Sequence, residues 1–117
     1  MNTSQLLPPR RPAAADSVVC VVAKPPNVAA EAWLGKPQVI KIIDITARRV
    51  ENGAAAGWIN IHLRGTKIMG AVPQEGQWLE VRPADMDNHG RVRRLRNLST
   101  GHEMRTRTNP WSALARI

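Results

Sequence analysis

The stretch from Val39 to Val50 is the feature that most constrains the fold of this chain. It is rich in valine and isoleucine, whose branched side chains favour strands over helices. A strand of this length does not stay flat, so we expect it to bend or to carry a bulge. The next stretch, Trp58 to Arg64, alternates polar and apolar side chains with the period of a strand that has one buried face. Together the two stretches predict a sheet packed on one side.

Turn residues divide the remainder of the chain into short segments of the same kind. We predict further strands over residues 17–23, 67–72, 77–82 and 91–98, with a short return at 102–106. Asn27 could cap a short helix over residues 28–34, which Gly35 and Pro37 would end. Residues 51–57, with two glycines, are expected to form a connecting loop. The predicted fold class is all-β with a short helix, as a small barrel of five or six strands, because closure removes exposed edges.

The length of 117 residues allows a single domain. Residues 1–16 contain Pro8-Pro9 and Arg10-Arg11 without periodicity, so we expect a disordered, basic and proline-rich arm. Residues 17–106 form the predicted barrel domain. Residues 107–117 form a tail in which a short helix could start after Pro110. Its apolar side chains either dock on a partner or fold back onto the barrel; they are Trp111, Leu114 and Ile117.

Charge indicates the class of partner. Seventeen Lys and Arg oppose nine Asp and Glu, for a net charge of +8, and most of the basic residues are arginine. The guanidinium group matches phosphate geometry and stacks on bases, so a polyanion is the expected partner. The alternative is that the charge only keeps a small protein soluble.

Catalytic, metal and membrane functions find little support in the sequence. The single cysteine, Cys20, excludes an internal disulfide and a zinc site built from several cysteines, and its apolar surroundings predict burial. The three histidines, His62, His89 and His102, are far apart in sequence. No run is long enough to span a membrane. We therefore expect a non-enzymatic, soluble cytoplasmic protein with neither metal nor cofactor.

The polar side of the alternating strand is the most informative candidate site. Trp58, Asn60, His62 and Arg64 would form a row with a spacing of about 6.6 to 7 Å. A stacking surface next to an amide, an imidazole and a guanidinium suits single-stranded nucleic acid. The alternative is a solvent-exposed outer face on which Trp58 only packs over apolar side chains. Trp78, next to Glu80 and Arg82, repeats the pattern on a second strand, unless its indole is buried.

A second candidate feature is the arginine-rich strand. Arg91, Arg93, Arg94 and Arg96 place four arginines in six residues. Because one side of the strand faces the core, we expect a bulge near Arg93 and Arg94 or an edge position. The strand either tracks phosphates or is an edge whose charges prevent aggregation.

The strand pattern of residues 38–100 resembles the OB-fold. The segment from Glu75-Gly76 to Val81, in which a polar residue and glycine precede an alternating strand that ends Glu-Val, is similar to that family. The resemblance implies a five-stranded barrel that binds oligonucleotides across its second and third strands, where the row from Trp58 to Arg64 lies. The chain departs from the family pattern by lacking Phe and Tyr.

The predicted function is sequence-tolerant binding of single-stranded DNA or RNA. The predicted contact residues are Trp58, Asn60, His62, Arg64, Lys67, Trp78, Arg82, Arg91, Arg93, Arg94 and Arg96. The alternative is a small basic module that docks on an acidic protein partner, or on a second copy, through Trp111, Leu114 and Ile117.

Overall fold

The computed structural model describes residues 16–32 and 39–107. Within these ranges the chain forms one curled, half-barrel sheet without an α-helix, which confirms the all-β prediction. A 3-10 turn lies at Pro83–Asp85. The strands are β1 (Val18–Val22), β2 (Asn27–Ala32), β3 (Val39–Glu51), β4 (Ala54–Gly65), β5 (Lys67–Met69), β6 (Trp78–Val81), β7 (Arg94–Asn97) and β8 (Glu103–Arg107). The sheet thus has eight strands rather than the five or six predicted.

The long strand β3 organises the sheet. β2 pairs with its first half and β1 with its second half, while β4 pairs along nearly its full length. The order then continues from β1 through β6, β7 and β8 to β5, and all of these strand pairs are antiparallel. This curl brings β4 next to β8 and β5.

The β3–β4 hairpin has a tight turn and one irregular position in its pairing. Its turn consists of Asn52 and Gly53, whose φ angles of 53° and 77° are the left-handed values that a two-residue hairpin turn requires. Arg48 pairs with Trp58 and Val50 with Ala55, so β4 holds one more residue than β3 between these pairs. The pairing of β3 is therefore irregular between Arg48 and Val50, but the extra residue lies in β4 rather than in β3, where a bend or bulge is expected from the sequence. The expected loop over residues 51–57 is wrong, because the turn needs only two residues and β4 begins at Ala54.

The predicted short helix over residues 28–34 is wrong where the structure describes it. Residues 27–32 form β2 and pair with β3 at six positions. Alanine and glutamate are good helix formers, but intrinsic preference is small for each residue, and here the pairing with β3 outweighs it. Trp33 lies outside the described residues.

Apolar side chains from all but the outermost strands form the core. The main cluster is centred on Ile43, Ile45, Ile61, Leu63 and Leu79. A smaller cluster on the other side of β6 joins Val21, Trp78 and Leu98. Both faces of β6 are therefore buried, whereas β4 has one buried and one exposed face.

The predicted arm and tail lie almost entirely outside the described residues. Arg107, predicted as the first residue of the tail, is the last residue of β8. The predicted docking residues Trp111, Leu114 and Ile117 are not among those described. None of the described segments is a helix long and apolar enough to cross a membrane.

Candidate nucleic-acid interface

The outer face of β4 carries the row that the sequence predicts. Trp58 is 61% exposed, Asn60 and Arg64 are exposed, and His62 is half-buried. The alternate residues Ile61 and Leu63 are buried in the core, so the alternation of β4 is as expected from the sequence. One strand therefore holds an indole, an amide, an imidazole and a guanidinium on one surface.

The neighbouring strand β3 positions the indole. Arg48 lies directly opposite Trp58, and its guanidinium carbon is 4.7 Å from the centre of the indole ring. Arg48 Nε also donates a hydrogen bond of 3.1 Å to the carbonyl oxygen of Ala56, which fixes the guanidinium in place. A cation over a ring is attracted by the electrons of the ring face. Trp58 is thus oriented by a cation while most of its surface faces solvent.

Acidic side chains contact the two titratable members of the row, His62 and Arg64. Asp44, opposite His62 on β3, forms a hydrogen bond with the Nδ1 atom of that histidine. Arg64 donates to Glu31 of β2 over 3.5 Å, with both side chains substantially exposed. An exposed ion pair of this length contributes about 0 to 1 kcal/mol, so a phosphate can compete for Arg64.

The segment Gly90–Val92 extends this surface beyond β4. His62 pairs in parallel with Arg91: its backbone N–H donates to the carbonyl of Gly90 over 2.9 Å, and its carbonyl accepts from Val92 over 2.8 Å. Residues paired in this way project from the same face of a sheet. Arg91 is therefore a neighbour of His62 on the outer surface.

A carboxylate holds this segment in place. Asp87 accepts hydrogen bonds from the backbone N–H of His89 over 2.8 Å and from that of Arg91 over 3.0 Å. These two donors, the His89 N–H first, hold the pKa of Asp87 below its ordinary value of 3.8. The carboxylate is charged at neutral pH and keeps Arg91 in position next to β4.

Three arginines meet in one groove at the end of the row. Arg64, Arg91 and Arg93 line it together, with Gly65 and Thr106. Arg93 also reaches Asp85 over 3.7 Å and the carbonyl oxygen of Ala84 over 3.0 Å. The structure thus brings the predicted row and part of the predicted arginine strand onto one continuous surface.

The arginine-rich stretch shows the irregularity expected near Arg93 and Arg94. Val92 and Leu95 are both buried although they are three residues apart, so the alternation of a strand is broken between them. The chain bends at Arg93, and β7 starts only at Arg94. As a result both arginines lie outside the core.

Arg94, Arg96 and Arg82 occupy a different groove with mixed charge. Arg94 lies 3.4 Å from Glu103, and Arg96 lies 3.6 Å from the buried carboxylate of Glu80. Arg82 is exposed beside them, just after β6. The structure therefore does not bring these three arginines together with the Trp58 row.

Trp78 does not share the exposed face predicted for it. It is 9% exposed and packs in the smaller cluster with Val21 and Leu98. Its backbone N–H donates to the hydroxyl of Ser99 over 2.9 Å. The alternation of β6 suggests an exposed side, but the second cluster covers that side, so the indole offers no free ring to a ligand.

The sequence reasoning missed two basic residues on β8. Arg105 and Arg107 are exposed, while Met104 between Glu103 and Arg105 is buried. Lys67, predicted as a contact, lies opposite Arg107 on β5. The alternation of charged residues at 103, 105 and 107 with Met104 and Thr106 could have revealed these arginines, because it has the same period as the Trp58 row.

Groups suited to metal binding or nucleophilic chemistry do not converge in the described part of the chain. No three His, Cys, Asp or Glu side chains there lie close enough to hold a metal ion. Cys20 is fully buried, and burial raises the pKa of its thiol to about 12, with a smaller opposing effect from Arg49.

No protein-family model matches this chain, and no curated protein or solved structure shows significant similarity to it. The resemblance to the OB-fold therefore stays a prediction from the strand pattern. Arguments about function depend on the side chains of the site itself.

Proposed function

We propose that this protein binds single-stranded nucleic acid along the outer face of β4. The proposal is supported by the position of an exposed aromatic ring and a group of arginines on one surface. The exposed Trp58 row leads directly into the groove of Arg64, Arg91 and Arg93. Bases stack on exposed aromatic rings while arginines neutralise the phosphates that follow. We refer to this surface, residues 58, 60, 62, 64, 91 and 93, as the β4 surface.

Each member of the β4 surface has a defined task in this proposal. Trp58 stacks one base, with its orientation set by Arg48. Asn60 and His62 hydrogen-bond to base edges or sugar oxygens, since an amide and an imidazole both donate and accept. Arg64, Arg91 and Arg93 contact phosphates, and none of these groups requires a particular base. Binding is therefore sequence-tolerant, and one exposed indole leaves most of the affinity to electrostatics.

Removal of the indole tests the proposal. Trp58→Ala should weaken binding of a single-stranded oligonucleotide by about 5- to 150-fold, which corresponds to about 1 to 3 kcal/mol for one stacked base. Trp58→Phe keeps an aromatic face and should recover part of that loss. Fluorescence-polarisation titrations at low salt measure both variants, and circular dichroism verifies their fold. Equal affinity of wild type and Trp58→Ala would remove stacking from the proposal.

A second candidate function, self-association, is favoured by a different observation. β2 lies at the end of the strand order and pairs only with β3 among the described residues. Val28 is 65% exposed on β2, and Val39 is 42% exposed at the start of β3. An open edge with apolar side chains is a template for another strand. Sedimentation velocity at about 100 μM should then show a dimer that Val28→Lys dissociates; a monomer at that concentration contradicts this candidate.

A further inference from the structure

A second basic cleft lies beside the β4 surface, on the outer face of β5, β7 and β8. Four arginines line it, namely Arg93, Arg94, Arg105 and Arg107, and Asp85 is the acidic residue among its lining side chains. We call it the β8 cleft. The proposed function above does not use Arg94, Arg105 or Arg107.

The cross-strand register of the β8 cleft sets like charges against each other. Arg94 of β7 lies directly opposite Arg105 of β8, and Lys67 of β5 lies directly opposite Arg107. Directly opposed like charges destabilise a sheet, whereas opposite charges stabilise it. The neighbouring pair of Arg96 and Glu103 follows the stabilising rule. These two pairs, one on each side of β8, concentrate positive charge on this part of the sheet.

Only some of the basic side chains in and beside the β8 cleft are paired with a carboxylate. Arg93 is within 3.7 Å of Asp85, and Arg94 is within 3.4 Å of Glu103. Within residues 16–32 and 39–107, no carboxylate lies within 4 Å of the charged nitrogens of Arg105, Arg107 or Lys67. Guanidinium groups donate paired hydrogen bonds to phosphate oxygens. The free charge therefore fits phosphate groups better than it fits an apolar or neutral ligand.

The β8 cleft is continuous with the groove at the end of the β4 surface. Arg93 and Thr106 line both of them. An anionic chain that passes Arg64 and Arg91 would reach Arg105 and Arg107 without leaving a basic surface. This geometry suits a chain of linked phosphates rather than an isolated small anion.

We propose that the β8 cleft binds the phosphates of a polyphosphate chain through Arg105 and Arg107, without contact to bases. Lys67, which lies opposite Arg107 on β5, adds its charge next to the cleft. The chain is either the backbone of a nucleic acid or inorganic polyphosphate, which present the same charged oxygens. In the first case the proposal rests on the function proposed above and extends the contact beyond the β4 surface. In the second case it stands independently of Trp58.

The test compares a double variant with a charge-matched control. Arg105→Gln/Arg107→Gln removes two charges from the β8 cleft, while Lys24→Gln/Arg49→Gln removes two charges from exposed positions elsewhere. The probes are inorganic tripolyphosphate and a single-stranded oligonucleotide, titrated by calorimetry at low salt. Thermal unfolding of each variant verifies the fold.

For tripolyphosphate, the cleft variant should lose about tenfold or more in affinity, because two charge-assisted contacts disappear. The control should change by about twofold or less, and Trp58→Ala should bind as wild type does. Equal losses in the cleft variant and the control would overturn the proposal, as would unchanged binding by the cleft variant.

The oligonucleotide distinguishes the two sources of phosphate. A loss of oligonucleotide affinity in the cleft variant assigns the cleft to a nucleic-acid backbone, and a loss for tripolyphosphate alone assigns it to inorganic polyphosphate. Failure of the function proposed above has a different signature, in which Trp58→Ala binds the oligonucleotide as wild type does. The two proposals can therefore fail separately.

Discussion

At the scale of single residues, Trp58 and Arg48 form the best-defined pair on the exposed side of the sheet. The guanidinium carbon of Arg48 lies 4.7 Å from the indole centre, and a hydrogen bond to the carbonyl of Ala56 fixes it. One face of the indole is therefore occupied by a cation, while 61% of the residue remains exposed. Because the indole is oriented before it meets a ligand, less conformational freedom is lost on binding.

Removal of Arg48 should separate this positioning from the stacking itself. Arg48→Ala should weaken oligonucleotide binding by about 2- to 5-fold, in line with about 0.5 to 1 kcal/mol for an exposed cation–π contact, and less than Trp58→Ala does. Because the indole loses its partner, the NMR order parameter of the Trp58 indole N–H should fall as well. Arg49→Ala, which removes a neighbouring exposed arginine paired with Glu51, serves as the control. If both variants behave alike, Arg48 contributes charge only.

Cys20 gives a prediction about reactivity. The thiol is fully buried, and burial raises its pKa to about 12, so the reactive thiolate is nearly absent at pH 8. The native protein should therefore resist a disulfide-exchange reagent such as DTNB at pH 8, whereas the protein in denaturant should react within the mixing time. The absorbance change of the reagent measures both. Rapid reaction of the native protein would contradict the burial of Cys20 in the core.

At the scale of elements, the sequence predicted most strands but not which strands and apolar clusters pack against them. The alternation from Trp58 to Arg64 suffices to predict the exposed row, because a strand with one buried face repeats every second residue. The same reasoning fails for Trp78, since a second apolar cluster covers the other side of β6 and alternation alone does not indicate it. It fails for β2 because the pairing with β3, the next strand along the chain, outweighs the helix preference of residues 27–32. The position of Arg91 beside His62 likewise depends on a parallel contact between distant segments.

The loop that presents Arg91 should respond to acid. The N–H groups of His89 and Arg91 lower the pKa of Asp87, so the stabilisation they provide is present above its ordinary pKa of 3.8 and is lost as the pH falls through the lowered value. As the pH falls below 3.8 and through the lowered value, the protection factors of the His89 and Arg91 amides, relative to their intrinsic exchange rates at each pH, should fall, while core amides such as that of Ile61 stay protected. Hydrogen exchange monitored by NMR measures this. Uniform loss of protection across the sheet would contradict a local opening.

Substitution of Asp87 should uncouple the loop from the sheet at neutral pH. Asp87→Ala removes the acceptor of both side-chain hydrogen bonds, so oligonucleotide affinity should fall because Arg91 is then held beside His62 only by the backbone hydrogen bonds of its neighbours. Asp87→Asn retains an acceptor oxygen and should keep most of the affinity. Titrations of the two variants, with thermal unfolding to verify the fold, decide the matter. If the alanine variant binds as wild type does, the position of Arg91 has no role in binding.

Gly70 controls the approach of β5 to β8. Its φ angle is 104°, and a side chain added there would meet the backbone carbonyl of Glu103. Gly70→Ala should therefore destabilise the protein by about 1 to 3 kcal/mol, the usual range for strain at such a position. Gly57→Ala is the matched control, since nothing lies near its added carbon and its φ is ordinary. Urea unfolding of both variants measures the difference; equal midpoints would contradict the close approach.

At the scale of the whole molecule, charge and fold combine into one basic surface. The net charge of +8 alone is compatible with solubility, and the sequence could not determine which arginines meet. The fold brings Arg64 from β4 next to Arg91 and Arg93, and continues to Arg105 and Arg107 on β8. It also pairs Arg94 with Glu103 and Arg96 with Glu80, away from the Trp58 row. These neighbours follow from the curl of the sheet, which no local pattern contains.

The salt dependence of oligonucleotide binding tests the central claim most directly. For single strands, each neutralised phosphate contributes about 0.7 to the slope of log affinity against log salt. Three contacts, from Arg64, Arg91 and Arg93, predict a loss of about 20-fold between 50 and 200 mM salt, and three more from the β8 cleft and the adjacent Lys67 raise it to about 300-fold. We expect a titration of the wild-type protein with a single-stranded oligonucleotide to fall between these values. An affinity that does not change with salt, or no binding at 50 mM salt, would contradict the account.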